Sequence, residues 1–280
     1  MFRVAVLIPA HNAEAFIERS VRSAFAQQPR PDEVVVASDG STDATVRLAK
    51  ECGATVLDLP KANANVARNA AARTAKADLL FLLDADDWFQ EGKIARHLKA
   101  HETENYAMVL DPGTRIDAAG TTHGLSGPAV GGPIDYRSFT SRRYWYGGST
   151  FSVRRAEFER IGGFREELTS QQDLDLWIRF AHSAGPALVL DQSYTNYYMS
   201  PASLSRNPAR VVENMRVLLA GLPFLTAWER RRFWCHVMFN TADQLPFPRS
   251  IPFLMRAVDR LWDPRFAKAV VRSVARRAAR

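Results

Sequence analysis

The sequence predicts an α/β fold, a mostly parallel sheet flanked by helices, with a helical extension after it. Three observations lead there. Short apolar, β-branched runs alternate with stretches of helical periodicity over the first 110 residues. The first run, Phe2 to Ile8, is apolar almost throughout, as a strand buried on both faces requires. Three of the runs stop abruptly in polar turns, Pro9-Ala10-His11-Asn12, Ser38-Asp39-Gly40 and Asp84-Ala85-Asp86-Asp87. In an open parallel sheet, ligands sit outside the carboxyl ends of the strands, so these three clusters are expected to meet along one edge.

Each element follows from local chemistry. Asn12 is placed to cap a helix whose apolar face is Phe16, Ile17, Val21, Ala24 and Phe25. Gln28-Pro29-Arg30-Pro31 ends that helix. Glu33 to Ala37 reads as the second strand, followed by a short helix through Lys50 and a third strand from Ala54 to Leu59. Asn65 to Thr74 reads as a helix in which Ala67, Ala70 and Ala71 permit close packing. Asp78 to Leu83 is the fourth strand, Glu91 to Glu104 a helix, and Tyr106 to Leu110 another strand. The Gly- and Pro-rich stretch from Asp111 to Tyr146 reads as a loop or hairpin excursion. Helices resume at Arg155–Ile161 and Leu174–Ala184, and the chain beyond Asn207 reads as mostly helical, broken at Pro223 and across 245–252. The expected division is 1–110 for one half of the α/β domain, 111–206 for its second half, and 207–280 for the extension.

Composition narrows the function classes. At 280 residues, 46% hydrophobic and 24% charged, the chain can bury a sizeable core. No run approaches the ~18 apolar residues that cross a bilayer. The opening segment lacks a basic stretch and a small-residue cleavage site, so it reads as a strand and not a leader. Cys52 and Cys235 have no CxxC spacing, which fits buried thiols and a cytoplasmic setting. Net charge is +7, yet Arg265, Lys268, Arg272, Arg276, Arg277 and Arg280 supply six of those charges, leaving +1 for the rest. A body that close to neutral argues against a nucleic-acid partner. The tail 265–280 has the spacing of a basic amphipathic helix, which suits peripheral contact with the inner face of the cytoplasmic membrane or a solvated helix equally.

The polar clusters carry the chemistry. Asp84 and Asp86 would repel a diphosphate unless a divalent cation, Mg²⁺ or Mn²⁺, bridged them, and both ions favour a few carboxylates with phosphate oxygens and water. The competing reading is a solvated turn capping the next helix. Asp39 can accept from a nucleobase or ribose, or close an Asx-turn. Arg68 has the fork to grip phosphate, or is a surface arginine. In Gln171-Gln172-Asp173-Leu174-Asp175-Leu176-Trp177, a carboxylate can take a proton from an attacking hydroxyl or complement a helix dipole. On composition alone Asp175 competes with Asp173. No GxGxxG, GxxxxGK[ST] or GxSxG occurs, which disfavours dinucleotide dehydrogenases, P-loop NTPases and the hydrolase elbow.

In order and spacing these motifs resemble the inverting family 2 glycosyltransferases, which have the GT-A fold. The resemblance spans roughly Val4 to Arg206, about three quarters of the chain. Pro9-Ala10-His11-Asn12 stands for a Pro-Ala-Tyr-Asn-like turn, with His11 in the aromatic place. Ser38-Asp39-Gly40-Ser41 stands for Asp-Asp-Gly-Ser, with Ser38 replacing the first aspartate. Ala67-Arg68-Asn69 and Leu83-Asp84-Ala85-Asp86-Asp87 follow, and Arg154-Arg155 through Ile161-Gly162-Gly163-Phe164 is similar to the lead-in to an acceptor segment. The family's Glu-Asp pair falls on Gln172-Asp173, a departure at Gln172. The last match, Tyr197 to Arg206, has Ser200 where relatives often carry histidine.

The resemblance implies a nucleotide-sugar donor, usually UDP-linked, across Pro9, Ala10, Asn12, Asp39 and Arg68, with Asp84 and Asp86 on its ribose-side oxygens. It also implies a divalent cation at Asp84 and Asp86, and Asp173 as general base. The acceptor, a glycan or lipid-linked glycan, would approach Tyr146, Gly148, Gln172 and Trp177, with Ser200, Ser203 and Arg206 in a lid. Tyr146 and Trp177 could stack on sugar faces, or be plain core, which is the commoner fate of such aromatics. Polysaccharide or cell-surface glycan is the usual product. Two readings compete: a sugar-phosphate nucleotidyltransferase, which would need a Gly-rich basic loop after the first strand, and a nucleotide-sugar-binding protein without transfer activity, which the change at Gln172 leaves open.

Overall fold

The computed structural model describes residues 2–141, 146–199, 208–243 and 252. Two compact units divide the chain: Met1–Phe139, Arg143–Glu167 and Gln172–Ala202 form the first, and Thr140–Arg142, Leu168–Gln171 and Ser203–Arg280 the second.

The first unit begins with strict alternation: β1 (Val4–Ala10), α1 (Ile17–Phe25), β2 (Glu33–Asp39), α2 (Thr45–Glu51), β3 (Thr55–Leu59), α3 (Ala64–Thr74) and β4 (Leu79–Leu82). It continues through β5 (Trp88–Phe89), α4 (Lys93–Thr103), β6 (Met108–Leu110), β7 (Thr114–Ile116), β8 (Thr122–Leu125), β9 (Gly132–Ile134) and α5 (Tyr136–Thr140). β10 (Phe151–Arg154), α6 (Arg155–Arg160), α7 (Gln172–Ser183), β11 (Ala187–Val189) and β12 (Thr195–Tyr198) complete it.

The main sheet runs β3-β2-β1-β4-β10-β6-β11-β9. β1 lies parallel to both β2 and β4, and β2 to β3, while β10 enters antiparallel between β4 and β6. Every residue of β1 and β4 is buried, which accounts for their unbroken apolar character. On one face, Val4, Val6 and Ile8 join Val34, Val36, Leu79 and Phe81 in a core closed by Ile17, Val21 and Ala24 of α1. Each such side chain contributes about 1.5–3 kcal/mol on burial, enough to make the strand positions stiff. Register then fixes the edge. Pro9 pairs with Ala37, Ala10 with Ser38, and Leu7 with Leu82, so the segments after β1, β2 and β4 leave the sheet side by side.

A second sheet, β5-β12-β7-β8, takes β7 and β8, an antiparallel pair, from the stretch expected as a loop or hairpin, and adds β5 and a strand near Tyr197 that were not anticipated. Asn12 is also corrected. It sits at φ 47 and spends its side-chain oxygen on the Thr42 N–H at 2.9 Å, so α1 begins later, with Phe16 at the N-cap position and no side-chain cap. Likewise α4 starts at Lys93, because Gly92 at φ 83 breaks the backbone before it.

The second unit contains α8 (Pro208–Ala220) and α9 (Ala227–Asp243). Met215, Leu218, Leu222, Phe233, Val237 and Met238 form its buried apolar face. Arg230 donates to the carbonyls of Leu219, Leu222 and Leu225, satisfying groups that the end of α8 leaves open. No helix among the described residues is long and apolar enough to cross a membrane. The expected basic tail at 265–280 lies outside the described residues.

Candidate active site

The carboxyl ends of β1, β2 and β4 surround a cavity of about 300 Å³. Pro9, Ala10, Asn12, Asp39, Arg68, Asp84 and Asp86 all line it, joined by His11, Phe16 and Ala64. The donor-side residues expected from the sequence are therefore brought together.

Each wall has a local cause. The turn after β1 is pinned to the loop after β2. Asn12 N–H donates to Ser41 Oγ at 3.1 Å, and Ala13 N–H to Thr45 Oγ1 at 2.7 Å. Asp39 is almost wholly buried, and its two oxygens accept from the Ala62 N–H at 2.6 Å and from Lys61 Nζ at 2.7 Å. Gly40, at φ 65, is required there, since a Cβ would lie 2.8 Å from the Lys61 backbone nitrogen. Arg68 projects from α3, which Asn63 caps by accepting from the N–H groups of Asn65 and Val66. Its guanidinium is buried, donating to Asp84 Oδ1 at 2.6 Å and to Asn65 Oδ1 at 3.1 Å.

The carboxylates crowd one another. Burial, then repulsion from Asp84, raises the Asp86 carboxyl to about 6. Asp173 opens α7. Its Oδ1 is buried without a hydrogen-bond partner among the described residues. Burial lifts its carboxyl to about 6, with Asp84 adding to the rise and Arg68 opposing it. Asp84 and Asp173 meet across Gly148: a Cβ there would lie 2.9 Å from Asp84 Oδ2 and 3.3 Å from Asp173 Oδ2. Burial lowers the Arg68 guanidinium, but Asp84 and Asp173 outweigh it and leave it above its ordinary value. The neighbouring Asp175 is a poor base by contrast. It is wholly buried and clasped by Arg179 at 2.8 Å and Arg165 at 3.3 Å.

Asp84 and Asp86 fit a divalent cation in donor chemistry: two neighbouring carboxylates, one of them raised by burial and then by the charge of the other. Among the described residues no group of three or more acidic, histidine or cysteine side chains is gathered to hold a metal unaided. Phosphate oxygens and water would have to complete the shell, as both Mg²⁺ and Mn²⁺ tolerate.

On the acceptor side the sequence expectation is corrected in part. Gly148 and Gln172 lie in the first unit, Gly148 beside both carboxylates. Tyr146 and Trp177 are core residues, 1% and 0% exposed, and neither has a face for a sugar. Trp177 packs against Phe139, Tyr146 and Phe151, and the Tyr146 hydroxyl donates to the Pro128 carbonyl. Their aromatic character served packing, which a motif cannot distinguish from sugar stacking. Ser200, Ser203 and Arg206 lie outside the described residues.

Several residues at the site were not singled out by sequence. Arg19, on α1, donates to the Asp86 carbonyl at 2.8 Å with its guanidinium 3.8 Å from the Trp88 ring centroid. Ser149 accepts from the Asp84 N–H at 2.8 Å. Below it lies a buried cluster in which Lys93 pairs with Asp111 and also donates to Thr195 Oγ1 at 3.0 Å. His97 and His101 share Ser152 Oγ at 2.8 Å each, and burial lowers them to about 3 and about 4. A helix bearing lysine and two histidines at intervals of four was the available signal, since those side chains share one face.

Comparison with known proteins gives the family and the fold. The succinoglycan biosynthesis protein ExoU of Rhizobium meliloti is 31% identical over 246 residues, covering 78% of this chain and 70% of that protein. The crystal structure of S. aureus TarS in complex with UDP-GlcNAc superposes with a TM-score of 0.68 at 19% identity, over 96% of this chain and 81% of that one. The mannosyltransferase PcManGT of Pyrobaculum calidifontis, in complex with GDP-Man and Mn²⁺, gives 0.64 at 16% identity, over 98% and 80%. At those identities the two structures establish the fold, which is GT-A. The model of the family described as Glycosyl transferase family 2 matches residues 5–172, and with the ExoU similarity this makes the chain a member of glycosyltransferase family 2.

Proposed function

We propose that this chain moves a sugar from a nucleotide diphosphate sugar, UDP-linked, to a hydroxyl of a glycan or lipid-linked glycan, with inversion at the anomeric carbon. The observation that carries the reading is the cavity lined by Asp39, Arg68, Asp84 and Asp86, with the Asp173 carboxyl meeting Asp84 across Gly148. Residues 1–110 serve the donor, 111–206 the acceptor, and 207–280 are an extension. The UDP-GlcNAc in the TarS crystals and the name of ExoU support donor class and polysaccharide product.

Pro9, Ala10, Asn12 and Asp39 hold the nucleoside, and Arg68 stands ready to bind phosphate. Asp84 and Asp86 would hold a Mg²⁺ or Mn²⁺, which supplies charge neutralisation on the diphosphate when bound. Asp173 accepts the proton of the acceptor hydroxyl. The oxygen of that hydroxyl bonds to the anomeric carbon as the bond from that carbon to the diphosphate breaks, and the nucleoside diphosphate departs with the electron pair. A carboxyl near 6 is well matched to this task, being ionised at neutral pH yet more basic than an exposed aspartate.

The test is release of nucleoside diphosphate from UDP-sugars and GDP-mannose, with Mn²⁺ and an acceptor mixture, by wild-type protein and by Asp173→Asn. Acceptor-dependent release by the wild type and its loss in the variant, with donor binding retained, is the expected result. Binding without any release would favour the non-transferring reading suggested by Gln172. Normal turnover by the variant would remove Asp173 as base.

A further inference from the structure

Asp87 is the member of the Asp84-Ala85-Asp86-Asp87 run that the site does not use. Asp84, Ala85 and Asp86 line the cavity, whereas Asp87 does not and is 1% exposed. Both of its oxygens are already engaged. Oδ2 accepts from the Ser149 hydroxyl at 2.5 Å, and Oδ1 from the Tyr198 N–H at 2.7 Å. Ser149 in turn accepts from the Asp84 N–H at 2.8 Å, and the Asp87 N–H closes the turn onto the Asp84 carbonyl at 3.0 Å.

We propose that Asp87 is a positioning residue, a strut that fixes the Asp84–Asp86 turn through Ser149 and ties it to β12, and that it is neither a cation ligand nor a base. The inference rests on the reading that Asp84 and Asp86 hold the cation of the donor complex. β10 is reached through the tight turn Gly147–Thr150, where the Thr150 N–H donates to the Gly147 carbonyl at 3.1 Å. That turn carries Gly148, whose Cα faces both Asp84 and Asp173, so the separation of these two carboxylates depends on where Ser149 is held. Asp87 holds it, and through Tyr198 the same carboxylate sets the end of β12, whose Tyr197 ring lies against Gly147. One buried side chain thus registers three segments that sequence distance keeps apart: 84–87, 147–150 and 195–198. Outer-shell partners of this kind carry much of a metal site's affinity without touching the ion.

A strut and a ligand respond differently to an amide. Asparagine at 87 can accept from the Tyr198 N–H through its oxygen and donate to Ser149 through its nitrogen, so the geometry survives while the negative charge is lost. The experiment is calorimetry of UDP and GDP binding with and without Mn²⁺, alongside thermal unfolding, for the wild type, Asp86→Asn, Asp87→Asn, Asp87→Ala and Ser149→Ala. Asp87→Asn should keep Mn²⁺-dependent nucleotide affinity within about threefold of wild type, the scale of one exchanged hydrogen bond. Asp86→Asn should lose it, and Ser149→Ala and Asp87→Ala should each weaken it by about tenfold or more. Where Asp87→Ala does not fold, the Asp87→Asn and Asp86→Asn pair still decides. Asp87→Asn falling with Asp86→Asn overturns the strut, as does an Asp87→Ala or Ser149→Ala protein with unchanged affinity. A wild type that binds neither nucleotide with Mn²⁺ overturns the donor-site reading itself, and the strut with it.

Discussion

Replacing the proposed base should make the protein more stable while it stops the reaction. In the folded chain the Asp173 carboxyl titrates at about 6 instead of 3.8, because burial and Asp84 disfavour its charge. A carboxyl with a raised folded value binds protons more tightly folded than unfolded, so stability falls as pH rises from 3.8 to 6 and the deficit persists above 6. Each tenfold change in proton affinity is worth about 1.4 kcal/mol, so ionised Asp173 costs up to about 3 kcal/mol at pH 7.5. Asparagine has the same shape and no charge. Metal-free Asp173→Asn should therefore unfold several degrees above the wild type at pH 7.5, at about 2–4 °C per kcal/mol for a chain of this size. At pH 4 the wild-type carboxyl is protonated in the folded state and the two melting points should converge. Differential scanning calorimetry in chelator at both pH values reads this directly. A variant that melts at or below the wild type at pH 7.5 would show that the carboxylate is stabilised by its surroundings, and the argument for a poised base would fail.

Three further outcomes follow from the same geometry. Gly148→Ala places a methyl 2.9 Å from Asp84 Oδ2, pushing the two carboxylates apart, and should cut transfer by about 100-fold; wild-type kcat would show that the spacing of Asp84 and Asp173 at Gly148 does not matter to the reaction. Lys93→Met leaves Asp111 buried without its ammonium and should cost about 3–5 kcal/mol in urea unfolding. Adding Asp111→Leu should recover part of that loss, and no recovery would mean that the pair is held by more than charge. Deleting 265–280 removes six basic residues, each worth about 1 kcal/mol at an anionic surface. Sedimentation with phosphatidylglycerol vesicles should drop accordingly, and equal binding by full-length and shortened protein would end the proposal of peripheral membrane contact through the tail.

The donor side was legible in the sequence because its chemistry is local. β1, β2 and β4 announce themselves as apolar runs, and a parallel sheet leaves their polar termini no other place than one edge. Arg68 was legible as a residue and not as a bond, since pairing with Asp84 across 16 positions is a tertiary fact. The acceptor side was less legible for two reasons. Aromatic residues such as Tyr146 and Trp177 look the same in a motif whether they pack or bind. Asn12 carried a helix-cap signature, yet the loop after β2 offered its side chain a better partner in the Thr42 N–H, and tertiary contact overrode local propensity. The second sheet escaped because β5 and β12 are two and four residues long, too short for any period to register. Asp173 and Asp175 were equal as letters. The arginines around Asp175 separate them, and those arrive from α6–α7 connections and from the next helical turn.

The arrangement of charge also explains why the sheet core must be so rigid. The Asp84 charge raises the proton affinity of Asp86, Asp87 and Asp173 on top of burial, and Arg68 and Arg19 offset that repulsion at Asp86 only in part. Left to a flexible loop, such carboxylates would move apart or protonate. Here Asp84 is fixed through its N–H by Ser149, Asp86 through its carbonyl by Arg19, and Asp87 through both oxygens. Backbone atoms and one sacrificed carboxylate hold the turn, leaving the Asp86 carboxylate to the cavity. The negative potential so maintained would repel a free diphosphate and favours one that arrives with a cation. A nucleotide affinity that rises steeply with Mn²⁺ in wild type and becomes indifferent to it once Asp86 is neutralised is what this electrostatic design requires.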